Sequence, residues 1–197
     1  MRPDLDIVAE MVGSGVRVLD LGCGDGDLLD HLIRRQGCEG HGVERDVERF
    51  HTCVARGVPV TQGDLEAELE LTADDAYDCA VLSLTLQATT RPDRVLESMR
   101  RVAPRRVVSL PNFGHWRLRL DLAARGRMPV TRILPHSWYD TPNIHLCTLA
   151  DFEQLAESAG MRTARRVLLD EAGRPSRGPT WARPNLLAVG AVYLLEG

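Results

Sequence analysis

The sequence predicts an α/β fold of the doubly wound type, with helices on both faces of a mostly parallel sheet. Short apolar runs rich in β-branched residues alternate with amphipathic helical patterns, as in βαβ units. The last two apolar runs are joined by a Gly- and Pro-rich loop (173–185) without a helical pattern, and strands connected in this way are most simply antiparallel neighbours. One edge-region strand is therefore expected to be reversed, and the whole chain (1–197) is expected to form one domain.

The first half of the chain is expected to alternate strand and helix regularly. The first strand is predicted at 17–21 (RVLDL), and the helix after it at 27–36 has an apolar face and ends at Gly37. A short strand at 40–44, a helix at 47–56 that ends at Gly57 and a strand at 58–61 follow. The run 77–84 (YDCAVLSL) is mostly apolar, which is typical of a central strand covered on both faces.

The second half continues this alternation. Pro92 begins a helix at 92–102, where its missing N–H is harmless, and Pro111 ends a strand at 106–110. A helix at 116–124 is expected to interrupt a long connection. Thr148 and Asp151 form a capping-box-like start for a helix that ends at Gly160. The last two strands are predicted at 161–170 and 186–195.

The composition excludes several classes of protein. The net charge of -4 gives no general attraction to nucleic acid or anionic lipid. No apolar run approaches the roughly 20 residues that span a bilayer, and acidic residues interrupt the apolar N-terminal stretch, unlike a signal peptide. The five cysteines are odd in number and lack a C-x-x-C pair, so neither a disulfide framework nor a metal site is expected. We expect a cytoplasmic protein without nucleic-acid or membrane partners.

A glycine-rich turn lies where the first strand meets its helix, in the motif VLDLGCGDG (18–26). Doubly wound sheets bind nucleotides at such junctions. The spacing here is G-x-G-x-G, with Asp25 and Asp27 beside the last glycine, whereas a dinucleotide site uses G-x-G-x-x-G to hold a pyrophosphate. Two carboxylates would repel a pyrophosphate but suit S-adenosylmethionine, which carries an ammonium and a sulfonium. Asp20 is expected to orient the turn or to reach the ammonium through water.

Two further acidic residues are placed to bind the adenosine half of the same cofactor. Glu44 ends the second strand about 20 residues after the glycines, where a carboxylate can accept hydrogen bonds from both ribose hydroxyls. Asp64 follows the third strand and can accept one from the adenine amino group, with Leu65 beside the ring. The residues expected to bind S-adenosylmethionine or S-adenosylhomocysteine are Asp20, Gly22, Cys23, Gly24, Gly26, Glu44, Arg45, Asp64, Leu65 and Ser83.

The turn, Glu44 and Asp64 together resemble the class I methyltransferase fold, a Rossmann-like arrangement with an antiparallel last strand. Four further motifs are similar to those of the methionine biosynthesis protein MetW family: LSLTLQA (82–88), SLPNFGHWRLR (109–119), GRMPV (126–130) and LPHSWYDTPNIHLCT (134–148). The similarity runs from about residue 15 to 160. It implies a protein that accompanies and activates homoserine O-acyltransferase, the MetX enzyme. It does not imply a methyl acceptor.

The segment 112–147, specific to this family, leaves two hypotheses open. As a catalytic region it would offer His115, Tyr139 or His145 as a base, for methyl transfer to an unidentified small-molecule acceptor. No triad spacing supports this, and SLTLQA replaces the N-P-P-Y signature of amino-methylating enzymes. As a partner surface it would offer aromatic and arginine anchors, namely Phe113, Trp116, Arg117, Trp138 and Tyr139. We therefore expect a cofactor-binding accessory protein of homoserine O-acyltransferase, with a methyltransferase as the alternative.

Overall fold

The computed structural model describes residues 2–131, 135–177 and 179–197. Helices α1 to α8 span Pro3–Val12, Asp27–Gln36, Val47–Ala55, Leu65–Leu71, Pro92–Val102, Trp116–Arg125, Leu149–Ser158 and Pro184–Leu187. Strands β1 to β7 span Arg17–Leu21, Glu39–Glu44, Val60–Gln62, Cys79–Ser83, Arg105–Pro111, Arg162–Leu169 and Gly190–Glu196. Short 3₁₀ helices lie at Leu86–Ala88 and Pro179–Ala182.

The seven strands form one sheet in the order β3-β2-β1-β4-β5-β7-β6. β1 to β5 pair in parallel, and β7 is antiparallel to both β5 and β6. The prediction of a mostly parallel sheet with a reversed edge-region strand is confirmed, and the reversed strand is β7, one position in from the edge. Because β2 and β4 lie on opposite sides of β1, the connections after β1 and β4 diverge and open a crevice at the carboxyl ends of these strands.

Alternate side chains of the central strands enter two cores on opposite faces of the sheet. On β1, Val18 packs with α1 and α2, whereas Leu19 and Leu21 pack with α4, α5 and α7. The second core includes the tilted ring pair Phe152 and Tyr193, with centroids 4.8 Å apart. The turn after β1 therefore begins from a strand that is buried on both faces. None of the helices in the described ranges is long and apolar enough to cross a membrane.

The structure differs from the predicted elements at three places. Two helices, α1 and α4, form where none was predicted. The strand predicted at 186–195 begins only at Gly190, because Pro184 starts the one-turn helix α8 in a connection expected to lack helices. Residues 132–134, within the segment 112–147 and at the start of the motif 134–148, lie outside the described residues, as does Gly178 in the loop 173–185.

Candidate functional site

The glycine-rich turn after β1 is held against the neighbouring strand β2 by backbone hydrogen bonds. The amides of Gly22 and Cys23 both donate to the carbonyl oxygen of Val43, at 2.8 and 3.1 Å. Gly22 has φ +75°, and a Cβ there would lie 2.8 Å from Cγ2 of Thr85. Only glycine combines this left-handed backbone with such close approach to the loop after β4. The turn thus lies tightly between the ends of β2 and β4.

Glu44, at the end of β2, fixes the next part of the turn. Its Oε2 accepts a hydrogen bond from the amide of Gly24, and its Oε1 accepts one from the amide of Asp46, both at 2.8 Å. The side chain is buried. Each carboxylate oxygen can accept about two hydrogen bonds, so Glu44 retains the capacity to accept further hydrogen bonds.

A cavity of about 300 Å³ opens beside this turn. Its walls come from the N-terminal part of α1 and the residue before it, from the turn, from α2 and α3, and from the residues that end and follow β4. They include Arg2, Asp20, Gly22, Gly24, Ser83 and Leu84. Leu84 has φ +53°, a conformation that non-glycine residues adopt rarely and mostly where the surrounding structure imposes it, as at functional sites. Two wider grooves, of about 460 and 630 Å³, lie at the amino-terminal ends of β1 and β2 and along β6.

Asp20 is a buried acidic residue in the lining of this cavity. The residue is only 2% exposed, and its carboxylate accepts no hydrogen bond from any residue in the described ranges. Burial raises the pKa of Asp20 to about 7; the charge of Arg2 lowers this pKa and that of Glu44 raises it. A buried carboxylate without a hydrogen-bonded partner is unfavourable, so a cationic ligand group would stabilise its charged form.

Two cavity-lining arginines were missed by the sequence analysis. Arg2 donates from Nη2 to Oγ of Ser83, at 3.0 Å, and pairs with Asp4 at 3.2 Å. Arg49 of α3 also lines the cavity, whereas the predicted Arg45 is exposed and does not. No local motif marks Arg2, because its contact with Ser83 joins residues 81 positions apart.

The predicted adenosine-binding residues lie near the cavity but outside its lining. The amide of Gly63 donates to the carbonyl oxygen of Glu44, at 3.1 Å, so the ends of β2 and β3 are adjacent. Oδ1 of Asp64 accepts hydrogen bonds from the amides of Glu66 and Ala67, at 2.9 and 3.4 Å, and thereby caps α4. Asp64 is exposed and Leu65 is half-buried against the core.

Two residues of the predicted turn make contacts that the sequence did not indicate. Gly26 does not line the cavity: a Cβ there would lie 3.0 Å from Sγ of Cys53, so this glycine permits packing against α3. Asp27 pairs with Arg56, with Oδ1 and Nη1 2.7 Å apart. One of the two carboxylates expected to repel a pyrophosphate therefore has a cationic partner, which reduces the expected repulsion.

The three catalytic candidates are not brought together at the cavity, since His115, Tyr139 and His145 all lie outside its lining. His115 is 3% exposed and caps α6, with its ring accepting from the amide of Arg117 at 3.4 Å. Burial lowers the pKa of His115, which favours the neutral ring. Tyr139 is exposed, and Nε2 of His145 lies 3.4 Å from the carbonyl oxygen of Thr90. Within the described ranges, no cluster of three metal-ligating side chains occurs.

The predicted partner residues are largely on the surface. Trp138 and Tyr139 are each 75% exposed and form a T-shaped pair with ring centroids 5.7 Å apart. Trp116 is partly exposed, and the guanidinium of Arg117 lies 5.3 Å from its ring centroid while also pairing with Glu171. Phe113 is half-buried.

The strand order, the reversed β7, the glycine-rich turn and the acidic end of β2 define the class I S-adenosylmethionine-dependent methyltransferase fold. A SAM-dependent methyltransferase from Archaeoglobus fulgidus superposes with a TM-score of 0.69 over 98% of this chain and 94% of its own, at 15% identity. The [4+2]-cyclase SpnF superposes with a TM-score of 0.66 over 98% of this chain and 79% of its own, at 18% identity. Both similarities concern the fold.

The sequence model of the family described as methionine biosynthesis protein MetW matches residues 2–195, and the chain belongs to this family. It is 34% identical over 164 residues to the bifunctional methionine biosynthesis protein MetXA/MetW of Rhodopirellula baltica. That alignment covers 79% of this chain and 26% of the relative, so the chain corresponds to about a quarter of the bifunctional protein.

Proposed function

We propose that this chain is a cytoplasmic S-adenosylmethionine-binding protein that acts as an accessory partner of homoserine O-acyltransferase. The observation that carries the cofactor assignment is the buried Asp20 carboxylate, which faces the cavity without a hydrogen-bonding partner in the described ranges. The ammonium of S-adenosylmethionine or S-adenosylhomocysteine is a cation of suitable size and charge for this position. The similar folds of SAM-dependent methyltransferases support the same ligand.

Each part of the site has a distinct role in this proposal. Asp20 would bind the ammonium, and the backbone of Gly22 and Gly24 would allow the ligand to approach closely. Glu44 would accept hydrogen bonds from the ribose hydroxyls while it keeps the turn in place. Asp64 would bind the adenine amino group with an oxygen that capping of α4 leaves free. When bound, S-adenosylmethionine supplies an activated methyl group on its sulfonium.

The partner assignment rests on the exposed aromatic pair Trp138 and Tyr139. Large aromatic side chains that protrude into solvent are typical anchors of protein interfaces, where they are buried in pockets of the partner. They belong to a segment in which Ile144 and Leu146 are also exposed. The relative whose name joins MetXA and MetW in one chain supports an acyltransferase as the protein that covers this surface.

The same segment is connected to the cavity wall by three hydrogen bonds. The amides of Ile144 and His145 donate to the carbonyl oxygen of Gln87, at 2.8 and 2.9 Å. Nε2 of Gln87 in turn donates to the carbonyl oxygen of Leu84, at 2.7 Å. A ligand that contacts Leu84 would therefore act on residues next to the partner surface. Through these hydrogen bonds, a ligand bound in the cavity would change the affinity of the chain for its partner.

Co-purification of the homoserine O-acyltransferase from the same organism with the tagged chain tests the partner assignment. The double variant Trp138→Ala, Tyr139→Ala is expected to lose most of the captured acyltransferase, since interface anchors of this kind commonly contribute about 2 kcal/mol or more. Leu71→Ala is the matched control, because Leu71 is 83% exposed on α4, outside the segment. Equal capture by wild type, double variant and control would contradict this surface, and no capture by wild type would contradict the partner.

Methyl transfer to an unidentified small-molecule acceptor is the second candidate function. The left-handed backbone of Leu84 in the cavity wall favours it, because strained residues cluster at active sites. A labelled-methyl screen against cell extract tests it, with Asp20→Ala as the inactive control. Turnover by wild type that this variant loses would establish the enzyme. The accessory proposal predicts no turnover above the variant.

A further inference from the structure

Arg2 places a cationic group in the same cavity as Asp20. Its guanidinium extends from the start of α1 to the end of β4, where Nη2 donates to Oγ of Ser83 at 3.0 Å. The side chain is 50% exposed, and its other contact is with Asp4 through the same nitrogen. Its Nε and Nη1 donate to no residue in the described ranges. Since a guanidinium carries five N–H donors, several remain available to a ligand.

The fold holds this arginine in place. Arg2 immediately precedes α1, and its carbonyl oxygen accepts a hydrogen bond from the amide of Leu5 at 3.0 Å. The apolar face of α1, which includes Val8 and Val12, is fully buried against the sheet. The hydrogen bond to Ser83 already restricts rotation of the Arg2 side chain. Because less rotational freedom remains to be lost, a further hydrogen bond to a ligand has a smaller entropic cost.

Arg2 and Asp20 together present a positive and a negative group to one small cavity. The two charges interact, since Arg2 stabilises the ionised form of Asp20. A ligand that carries only an ammonium would satisfy Asp20 and leave Arg2 exposed to water. A ligand with an α-amino and an α-carboxylate group would satisfy both residues, because guanidinium and carboxylate form strong charge-assisted hydrogen bonds.

We propose that Arg2 binds the α-carboxylate of the ligand's methionine end and makes the cavity specific for zwitterionic ligands. This assignment rests on the proposed binding of S-adenosylmethionine and adds the group that recognises its carboxylate. Ser83 has a supporting role. Its Oγ accepts from Arg2 and lies 3.1 Å from Oγ of Ser109, so it orients the guanidinium at the end of β4.

Arg49 is the natural comparison, since it is the second arginine in the cavity lining. Its Nη1 would lie 3.9 Å from a Cβ placed on Gly24, on the side of the turn that faces α3. Arg2 lies instead on the side of β4 and Ser83. The two arginines share charge, side-chain length and cavity but differ in position. The variant Arg49→Ala therefore controls for a general loss of positive charge.

The test compares S-adenosylmethionine with its decarboxylated form, which keeps the adenosine, sulfonium and amine but lacks the carboxylate. Calorimetric titration of the wild-type full chain is expected to show about 10- to 100-fold weaker binding of the decarboxylated ligand, the range for a hydrogen bond to a charged group. Arg2→Ala is expected to bind the two ligands within about threefold, and Arg49→Ala to discriminate as wild type does. Arg2→Lys, which keeps the charge without the planar fork, should retain part of the discrimination.

The outcomes separate this proposal from the one on which it rests. The role of Arg2 would be overturned if Arg2→Ala discriminated between the two ligands as strongly as wild type. It would also be overturned if only Arg49→Ala lost this discrimination. Neither result would affect the proposal that the cofactor binds. Binding of neither ligand by the wild-type chain would overturn the proposed cofactor and this assignment together. Thermal unfolding of each variant checks that the variant is folded. The affinities for the two ligands are measured on the same protein sample, so their ratio does not depend on the fraction of folded protein.

Discussion

The carboxylate of Glu44 accepts a hydrogen bond from the backbone amide of Gly24, with the two atoms 2.8 Å apart. Its other oxygen accepts one from the amide of Asp46, where α3 begins. One buried side chain therefore joins the turn after β1 to the helix after β2. The residue proposed to bind the cofactor's ribose is also the residue that shapes the turn, so we expect ligand binding and order of the turn to be coupled.

Replacement of Glu44 by glutamine tests this double role. An amide has a single acceptor oxygen, so either Gly24 or Asp46 loses its partner, at a cost of about 1–3 kcal/mol in the free energy of unfolding. For a chain of this size, each kcal/mol corresponds to about 2–4 °C in melting temperature. We expect a lower melting temperature together with at least tenfold weaker binding of S-adenosylmethionine. Glu48→Gln is the control, since Glu48 is exposed on α3; equal behaviour of the two variants would contradict the coupling.

The raised pKa of Asp20, about 7, predicts that cofactor affinity depends on pH. Only the ionised carboxylate attracts the ammonium, so affinity is expected to fall as pH decreases from 7.5 to 5.5, by up to about tenfold per unit. Asp20→Asn should bind weakly, with affinity that does not change over this range. Calorimetric titrations at several pH values measure the cofactor affinity of wild type and of Asp20→Asn. A wild-type affinity that stays constant from pH 7.5 to 5.5 would be incompatible with this role.

The same pKa predicts an opposite effect on stability. Because the pKa of Asp20 in the folded protein lies above its ordinary value, protonation stabilises the fold, and this contribution is lost as pH rises through about 7. The ionised carboxylate then lowers the free energy of unfolding by at most about 4 kcal/mol. Asp20→Asn is accordingly expected to melt at a higher temperature than wild type at pH 8, although it binds the cofactor more weakly. A lower melting temperature for this variant at pH 8 would contradict the buried-charge interpretation.

Gly22→Ala tests the close approach between the turn and the loop after β4. The added methyl group would lie 2.8 Å from Cγ2 of Thr85, and the residue would keep φ +75°. The strained backbone alone costs about 1–2 kcal/mol, so we expect a clear loss of stability and of ligand binding. Gly63→Ala is the control, because a Cβ at Gly63 meets nothing within 4 Å. Thermal unfolding measures the melting temperature of both variants. If Gly22→Ala and Gly63→Ala lower it equally, the turn is less constrained than the structure indicates.

His115 is expected to act as a helix cap and not as a base. His115→Ala removes the acceptor of the Arg117 amide and should lower the free energy of unfolding by about 1 kcal/mol, as loss of a cap does. His115→Asn supplies a preferred capping side chain and should recover part of this loss. Chemical denaturation measures both. Neither variant should alter acyltransferase activation beyond its effect on folding, and abolished activation in a fully folded His115→Asn would instead point to a direct functional role.

Local sequence patterns predicted the strands, helices and caps that depend on residues close together in the sequence. The bounds of β1 and α2, the proline at the start of α5 and the capping box at Thr148 agree with the sequence analysis. The sequence analysis does not predict α4, a helix of only seven residues whose N-cap, Asp64, is interpreted there as an adenine-binding residue. Arg2 was missed because its place in the cavity depends on how α1 packs against the sheet. The burial of His115 and the exposure of Trp138 likewise depend on tertiary packing, which no local spacing encodes.

We propose that this protein binds S-adenosylmethionine and acts on homoserine O-acyltransferase. The most direct test is the turnover rate of that acyltransferase, titrated with the purified protein in the presence and absence of S-adenosylmethionine. We predict that turnover rises to a plateau with added protein and that the cofactor shifts the midpoint of the titration, because binding of ligand and partner must be reciprocally coupled. An acyltransferase rate that stays the same at every concentration of protein and cofactor would show that the protein does not have this function.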